Sequence, residues 1–172
     1  MKVEHIGHEK EKLVIVQEFN APRKLVFNAF TTEEALAEWW GPVECRNTVL
    51  KLEFKVGGVF HYKMEREAMT NYGRFTFIKI RPFDLLEFVN SFADENGNIL
   101  SAPFSIQLPL KIFYRLIFTE KKGKTTITLT GEPIEASREE TENFRSINKN
   151  VQQGFGATFD ALAVYLNKMQ TN

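Results

Sequence analysis

Phe27-Asn28-Ala29-Phe30-Thr31-Thr32-Glu33-Glu34-Ala35-Leu36-Ala37-Glu38-Trp39-Trp40-Gly41-Pro42 is the stretch on which the reading of this chain turns. Both tryptophans of the protein stand in it, side by side, and Gly41-Pro42 follows at once. Glycine reaches left-handed backbone without steric cost and proline cannot continue a helix, so the pair stops a short helix over Thr32 to Trp39. Thr31 to Glu34 has the form of a capping box: the threonine oxygen accepts from the N–H three residues on, and Glu34 reaches back. Upstream, Ala21-Pro22 opens an earlier helix, since the N–H that proline lacks has no partner at the first helical position anyway. Leu25, Val26, Ala29 and Phe30 give that helix a buried stripe. Only a kink is expected between the two helices. The β-branched run Leu13 to Asn20 precedes them as a strand.

After Pro42 the hydrophobic period changes from helical to two. Val49 to Phe54 reads as a strand, and Gly57-Gly58 as the tight turn after it. Phe60, Tyr62 and Met64 then alternate with His61, Lys63 and Glu65, the clearest one-face-buried pattern in the chain. Arg74 to Arg81, with Phe75 inside it, is a further strand closed by Pro82. Leu86, Phe88 and Asn90 share a face of the next. Glu95-Asn96-Gly97-Asn98 has turn chemistry. Ile99 to Pro109 is too apolar for a solvated loop; Leu100, Phe104, Ile106 and Leu108 predict that it folds over the core edge or a cavity mouth. Leu110 to Thr119 presents Ile112, Tyr114, Leu116 and Phe118 on one face. Lys121 to Lys124 turns the chain into a last strand, Thr125 to Thr130. Ser137 to Glu140 is a second capping box and opens one long helix to about Lys168. Its stripe is Phe144, Ile147, Val151, Phe155, Thr158, Phe159, Leu162 and Leu166. Gly154 and Gly156 each cost that helix roughly 1 kcal/mol against alanine, so a close neighbour, a ligand or a kink must account for them.

Composition bounds the function. The chain has 172 residues, and residues 1–12 read as a charged arm, 13–168 as one domain and 169–172 as a tail. Lysine plus arginine equals aspartate plus glutamate, 22 of each, so no net field points to nucleic acid or to an anionic membrane. The aromatics take inward positions and the charges outward ones, a core pattern rather than a base-stacking groove. No run of about 18 apolar residues predicts a membrane span, and Met1 to Lys12 lacks the apolar core of a signal peptide. The cytoplasm is the expected compartment. The single cysteine, Cys45, excludes an internal disulfide and a cysteine-rich zinc site. It reads as a small hydrophobe, His5 and His8 as solvated, and His61 as a surface histidine on the polar face of its strand. No phosphate loop, metal-ligand motif or nucleophile elbow is present. No catalytic residue, metal or cofactor is therefore assigned. Sixteen phenylalanines, shared between a sheet and the helices that cover it, either fill space or leave an apolar pocket. Tyr62, Asn90, Tyr114 and Thr158 are then either its polar groups or satisfied core residues.

Several motifs together resemble one family. They are Glu18-Phe19-Asn20-Ala21-Pro22-Arg23-Lys24-Leu25-Val26-Phe27, Trp39-Trp40-Gly41-Pro42, Gly57-Gly58, the spacing Gly73, Pro82, Leu86, the run Phe92 to Asn98, and Gly154-Phe155. In this order they resemble the Hsp90-ATPase-activator-homologue-like family of the START-like, or Bet v 1-like, superfamily, over about Leu13 to Leu166. The resemblance implies an α+β helix-grip fold: a curved antiparallel sheet around a long C-terminal helix, with two short helices between the first two strands. It implies a hydrophobic cavity between that helix and the sheet, near the tryptophan corner. The expected lining is Trp39, Trp40, Phe60, Tyr62, Met64, Phe75, Phe88, Asn90, Phe104, Tyr114, Leu116, Ile147, Val151, Phe155 and Thr158. One tryptophan is expected to pack into the core against the C-terminal helix near Phe155, and the other to cover the mouth. The sequence departs from many relatives in having Gly154-Phe155 where they have Gly-Trp, and in its long apolar loop.

Three functions follow as expectations. The first is non-enzymatic binding of a hydrophobic small molecule, a lipid or an aromatic, polyketide-like compound. The second is a cyclase- or hydrolase-type enzyme acting in the same cavity. The third, a co-chaperone role, comes from the family name. The eukaryotic activators carry a further N-terminal domain for which this chain is too short, so a chaperone partner is not expected. Nucleic acid and membrane are not expected partners either, and homodimerisation is left open.

Overall fold

The computed structural model describes residues 13–171, so the expectations for the N-terminal arm and for His5 and His8 lie outside the described residues. β1 (Leu13–Phe19) is followed by α1 (Arg23–Asn28) and α2 (Glu33–Trp39). Then come β2 (Arg46–Leu52), β3 (Val59–Arg66), β4 (Met69–Arg81), β5 (Leu85–Ala93) and β6 (Ile99–Leu100). β7 (Lys111–Lys121) and β8 (Lys124–Ile134) form a hairpin, and α3 (Arg138–Ser146) and α4 (Asn148–Thr171) close the chain. The strands make one antiparallel sheet in the order β1-β8-β7-β5-β4-β3-β2, with β6 added to β5. β1 and β2 are consecutive in the chain yet lie at opposite edges of the sheet. The α1–α2 stretch is the span that carries the chain across, as the helix grip requires. α4 packs against both β1 and α2.

Alternation drives the inner face. Phe60, Phe75, Phe77, Leu86, Phe88, Leu116, Phe118, Ile127 and Leu129 are all buried there, and Phe159, Leu162 and Leu166 of α4 close over them. Phe75 stacks on Phe88 with ring centroids 3.9 Å apart, and Phe27 meets Phe118 edge-on at 5.2 Å. Two bulges break the alternation. Between Val49 and Lys51 and between Phe77 and Lys79 the register shifts, so Leu50 and Ile78 have no opposite partner and point outward, exposed. A bulge bends its strand and increases the local twist. Beyond the second one the inward positions change parity, from Phe77 to Ile80. A strict period-two reading cannot follow such a switch.

Other boundaries differ from the sequence reading for identifiable reasons. The cap of α2 is Thr32, not Thr31: the Thr32 hydroxyl accepts from the Ala35 N–H at 3.2 Å. With alanine at that third position there is no reciprocal box, and the Thr31 hydroxyl donates to the Asn28 carbonyl instead. Pro22 sits at the N-cap with extended backbone, one position before the expected place. β2 begins at Arg46, β4 at Met69, and β8 runs on to Ile134. β6 forms inside the apolar loop. The capping box at Ser137 and Glu140 forms in both directions. The helix it opens ends at Ser146, and a break at Ile147 separates it from α4, which continues past Lys168 to Thr171. Phe144, Ile147, Val151 and Phe155 keep helical spacing through the break, so hydrophobic pattern alone does not reveal it.

His61 is a further correction. It is 7 % exposed, because the turn after β5 folds back over the outer face of the sheet. His61 Nε2 lies 3.0 Å from the Asp94 carbonyl, its ring rests near Tyr72, and Arg74 donates to the Gly97 carbonyl at 2.7 Å. The Asp94 carboxylate accepts from the Asn98 N–H, from the Asn98 side chain and from the Asn96 N–H, and these bonds, the first above all, hold its pKa below the usual range. This pinned turn fixes where the apolar loop starts.

Candidate functional site

The inner face of the sheet is not filled along its whole length. Toward the α3–α4 break a cavity of about 370 Å³ opens between sheet and helices. Its sheet wall is Tyr62 and Met64 of β3, Gly73 of β4, Asn90 and Phe92 of β5, and Ile112 and Tyr114 of β7. Its helix wall is Phe144 of α3 and Ile147, Val151, Gly154, Phe155 and Thr158 along α4. The stretch Trp40 to Glu44 closes one end, and Leu100, Ala102, Phe104 and Leu108 to Leu110 surround the rest. The apolar loop therefore lies along this cavity, with Phe92 and Phe104 meeting edge-on at 5.8 Å. Asn143 holds the loop to α3 by donating to the Gln107 carbonyl at 2.7 Å.

Of the residues expected at the cavity, Trp40, Tyr62, Met64, Asn90, Phe104, Tyr114, Ile147, Val151, Phe155 and Thr158 come together around it. Trp39, Phe60, Phe75, Phe88 and Leu116 do not; they lie behind the wall in solid core. Trp39 donates from Nε1 to the Ala29 carbonyl at 2.9 Å and packs edge-on to Phe30 at 4.8 Å, which ties α2 to α1. Trp40 meets Phe75 at 4.9 Å and Phe155 at 6.2 Å. The expected division between the tryptophans is thus altered. The one against Phe155 is the one in the cavity wall, it is 9 % exposed, and neither caps the mouth. Thr158 is a satisfied buried residue: its hydroxyl donates to the Gly41 carbonyl at 3.0 Å and locks α4 to the tryptophan corner.

Two glycines shape the sheet wall, a role the sequence reading missed. Gly73 is the register partner of Tyr62 and Gly131 that of Tyr114. A Cβ on Gly73 would sit 2.4 Å from the Tyr62 ring, and one on Gly131 2.6 Å from the Tyr114 ring. Each tyrosine lies across a strand at a place where only glycine admits it. The signal in the sequence was an isolated glycine inside each strand pattern, but the opposing residue is known only once the register is.

Among the described residues the polar groups of the cavity are few and uncharged, apart from exposed Glu44. Asn90 Nδ2 donates to Tyr62 Oη and to the Arg74 carbonyl, both at 3.1 Å. Burial pushes the Tyr62 phenol up to about 12, against smaller opposing effects of Asn90 and Trp40. Trp40 Nε1 itself completes no hydrogen bond of normal geometry. Burial also raises the Tyr114 phenol, and the neighbouring Tyr62 adds to it. Burial, with Glu44 second, raises the thiol of nearby Cys45 and so keeps it protonated and weakly nucleophilic. Among the described residues no three His, Cys, Asp or Glu side chains are grouped to hold a metal ion.

Gly154 falls on the same helical stripe as Val151 and Thr158, and a Cβ there meets nothing within 4 Å. Among the described residues no strand approaches it and the helix does not break there; the glycine is exposed where α4 borders the cavity. Gly154→Ala is expected to raise the unfolding free energy by about 1 kcal/mol, measured by urea denaturation, because only the helical penalty of glycine is removed.

Comparisons with known proteins agree with this architecture. The sequence matches the family described as Activator of Hsp90 ATPase homolog 1-like protein over residues 20–167. A protein from Arthrobacter aurescens solved by NMR superposes with a TM-score of 0.76 at 25 % identity, covering 93 % of this chain and 88 % of its own. One from Staphylococcus epidermidis gives 0.73 at 25 %, covering 92 % and 91 %. A crystal structure of a Mycobacterium smegmatis protein gives 0.73 at 23 %, also covering 92 % and 91 %. No curated protein matches the sequence. Among the described residues no helix is long and apolar enough to cross a membrane.

Proposed function

The chain belongs to the Activator of Hsp90 ATPase homolog 1-like family, and from that premise we propose that it binds a hydrophobic small molecule, a lipid or an aromatic, polyketide-like compound, in the cavity between the sheet and α4. One observation carries this reading. A cavity of about 370 Å³, within the range of small-ligand sites, is walled by apolar and aromatic side chains with a few convergent neutral polar groups.

The enzymatic reading draws on the Tyr62–Asn90 hydrogen bond beside the cavity. A phenol raised by burial is a proton donor rather than a base near neutral pH, and among the described residues no lining group is placed to activate a nucleophile. Binding without turnover is therefore preferred. Neither reading uses the activity in the family's name.

Native mass spectrometry of the purified protein tests the proposal. The expected spectrum carries an adduct of small-molecule mass that is lost on denaturation and is recovered in an organic extract. A bare chain of 19.9 kDa that also takes up no neutral hydrophobic probe would sink it.

A further inference from the structure

We propose that the cavity selects an uncharged ligand bearing a hydroxyl group, which donates to Asn90 Oδ1 and accepts from Tyr114 Oη, and that it rejects carboxylates. The inference rests on the binding function above and names its ligand class.

The orientation of Asn90 is fixed by chemistry. The Arg74 carbonyl can only accept, so the atom facing it is the amide nitrogen. The second N–H goes to Tyr62 Oη. Both donors are spent within the sheet, and Oδ1 is left in a cavity-lining residue with no hydrogen bond to any described residue. Tyr114 presents the complementary case. Its ring is fixed across Gly131 and against Phe155 at 5.2 Å, yet its hydroxyl makes no hydrogen bond to any described residue. Tyr62, which accepts from Asn90, positions that amide. Both residues line one cavity, so an acceptor and a hydroxyl with no partner among the described residues are the groups open to a ligand's polar end.

A hydroxyl both donates and accepts, and so has a partner in each of the two groups. A ketone only accepts and leaves Asn90 Oδ1 unpaired. An ionised carboxylate fares worse. Among the described residues no lysine, arginine or histidine lines the cavity, and the one charged residue that does is Glu44, of the same sign. Desolvating an anion there has no compensating charge.

Isothermal titration calorimetry with 2-naphthol, naphthalene and 2-naphthoate tests this on one ring system. The expected order is naphthol tighter than naphthalene by about tenfold, with naphthoate weakest. Tyr114→Phe deletes an oxygen that bonds to no described residue, so its unfolding midpoint is expected to stay unchanged. In that variant, and in Asn90→Leu, the advantage of naphthol over naphthalene is expected to vanish. Naphthoate binding as tightly as naphthol would overturn the inference, and so would a naphthol preference that survives in Tyr114→Phe. Equal binding of all three probes would overturn it while leaving the cavity a general apolar site. No binding of any probe to the unaltered protein would overturn both.

Discussion

Phe75→Ala is expected to lower the unfolding free energy by about 3–5 kcal/mol, the range for removing a buried phenylalanine ring. Phe75 is 2 % exposed and central to the aromatic core. It stacks on Phe88 and meets Trp40 at 4.9 Å, Phe60 at 5.1 Å and Tyr62 at 5.9 Å, all near edge-on. These neighbours are rigid rings on paired strands and cannot collapse into the space left behind, which places the cost in the upper half of that range. A domain holds only about 5–15 kcal/mol in total, so the variant is expected to be marginally folded at best. Trp40 and Tyr62 lose the surface they rest on, so ligand uptake should fall with stability. Urea denaturation of both proteins gives the difference. A loss under about 1.5 kcal/mol would mean that the core relaxes to fill the gap and that the cavity wall is not rigid.

Gly73→Ala is expected to destabilise the protein by about 1–3 kcal/mol, although alanine normally strengthens a strand relative to glycine. The added methyl meets Tyr62 at both Cζ and Oη, 2.4 Å away. The ring must swing off β4, and its only side lies toward the cavity. That motion breaks the 3.1 Å hydrogen bond with Asn90 and releases the amide whose oxygen is proposed to read the ligand. The sign can be checked within the protein. In a Tyr62→Ala background the clash is absent, and Gly73→Ala should then be neutral or slightly stabilising. A double-mutant cycle by urea denaturation measures the coupling, expected to be about 1–3 kcal/mol. A destabilisation that persists without the Tyr62 ring would place its cause in the β4 backbone instead.

Legibility in the sequence varied with the range of the interaction responsible. The crossing from β1 to β2 could be read from Pro22, the Thr-Glu-Glu run and Trp39-Trp40-Gly41-Pro42, because capping and stopping act within a few residues. The face of β3 that carries Phe60 and Tyr62 could be read because alternation is local too. The family resemblance supplied the arrangement of sheet and helix, which no local pattern contains. What escaped depends on register. Leu50 and Ile78 are expelled by bulges that exist only when the partner strand is in place. Gly73 and Gly131 make room for tyrosines on neighbouring strands. His61 is on the polar face as the alternation says, but a distant turn covers it. For the same reason the expected cavity list mixed two populations. Tyr62 and Phe60 share a face and differ only in how far along the strand they lie, and alternation carries no information about where the core stops and the cavity begins.

The central claim, that this space takes up a ligand, is tested most directly by fluorescence titration of the neutral probe N-phenyl-1-naphthylamine into the unaltered protein and into Gly154→Leu. Gly154 is exposed where α4 borders the cavity and a Cβ there meets no atom within 4 Å, so a leucine is expected to crowd the cavity's edge without straining the helix. The account predicts saturable one-to-one binding to the unaltered protein, and affinity lower by about tenfold or more in Gly154→Leu, which should itself be more stable by up to about 1 kcal/mol. Absence of saturable binding, or equal affinity in the two proteins, would contradict it.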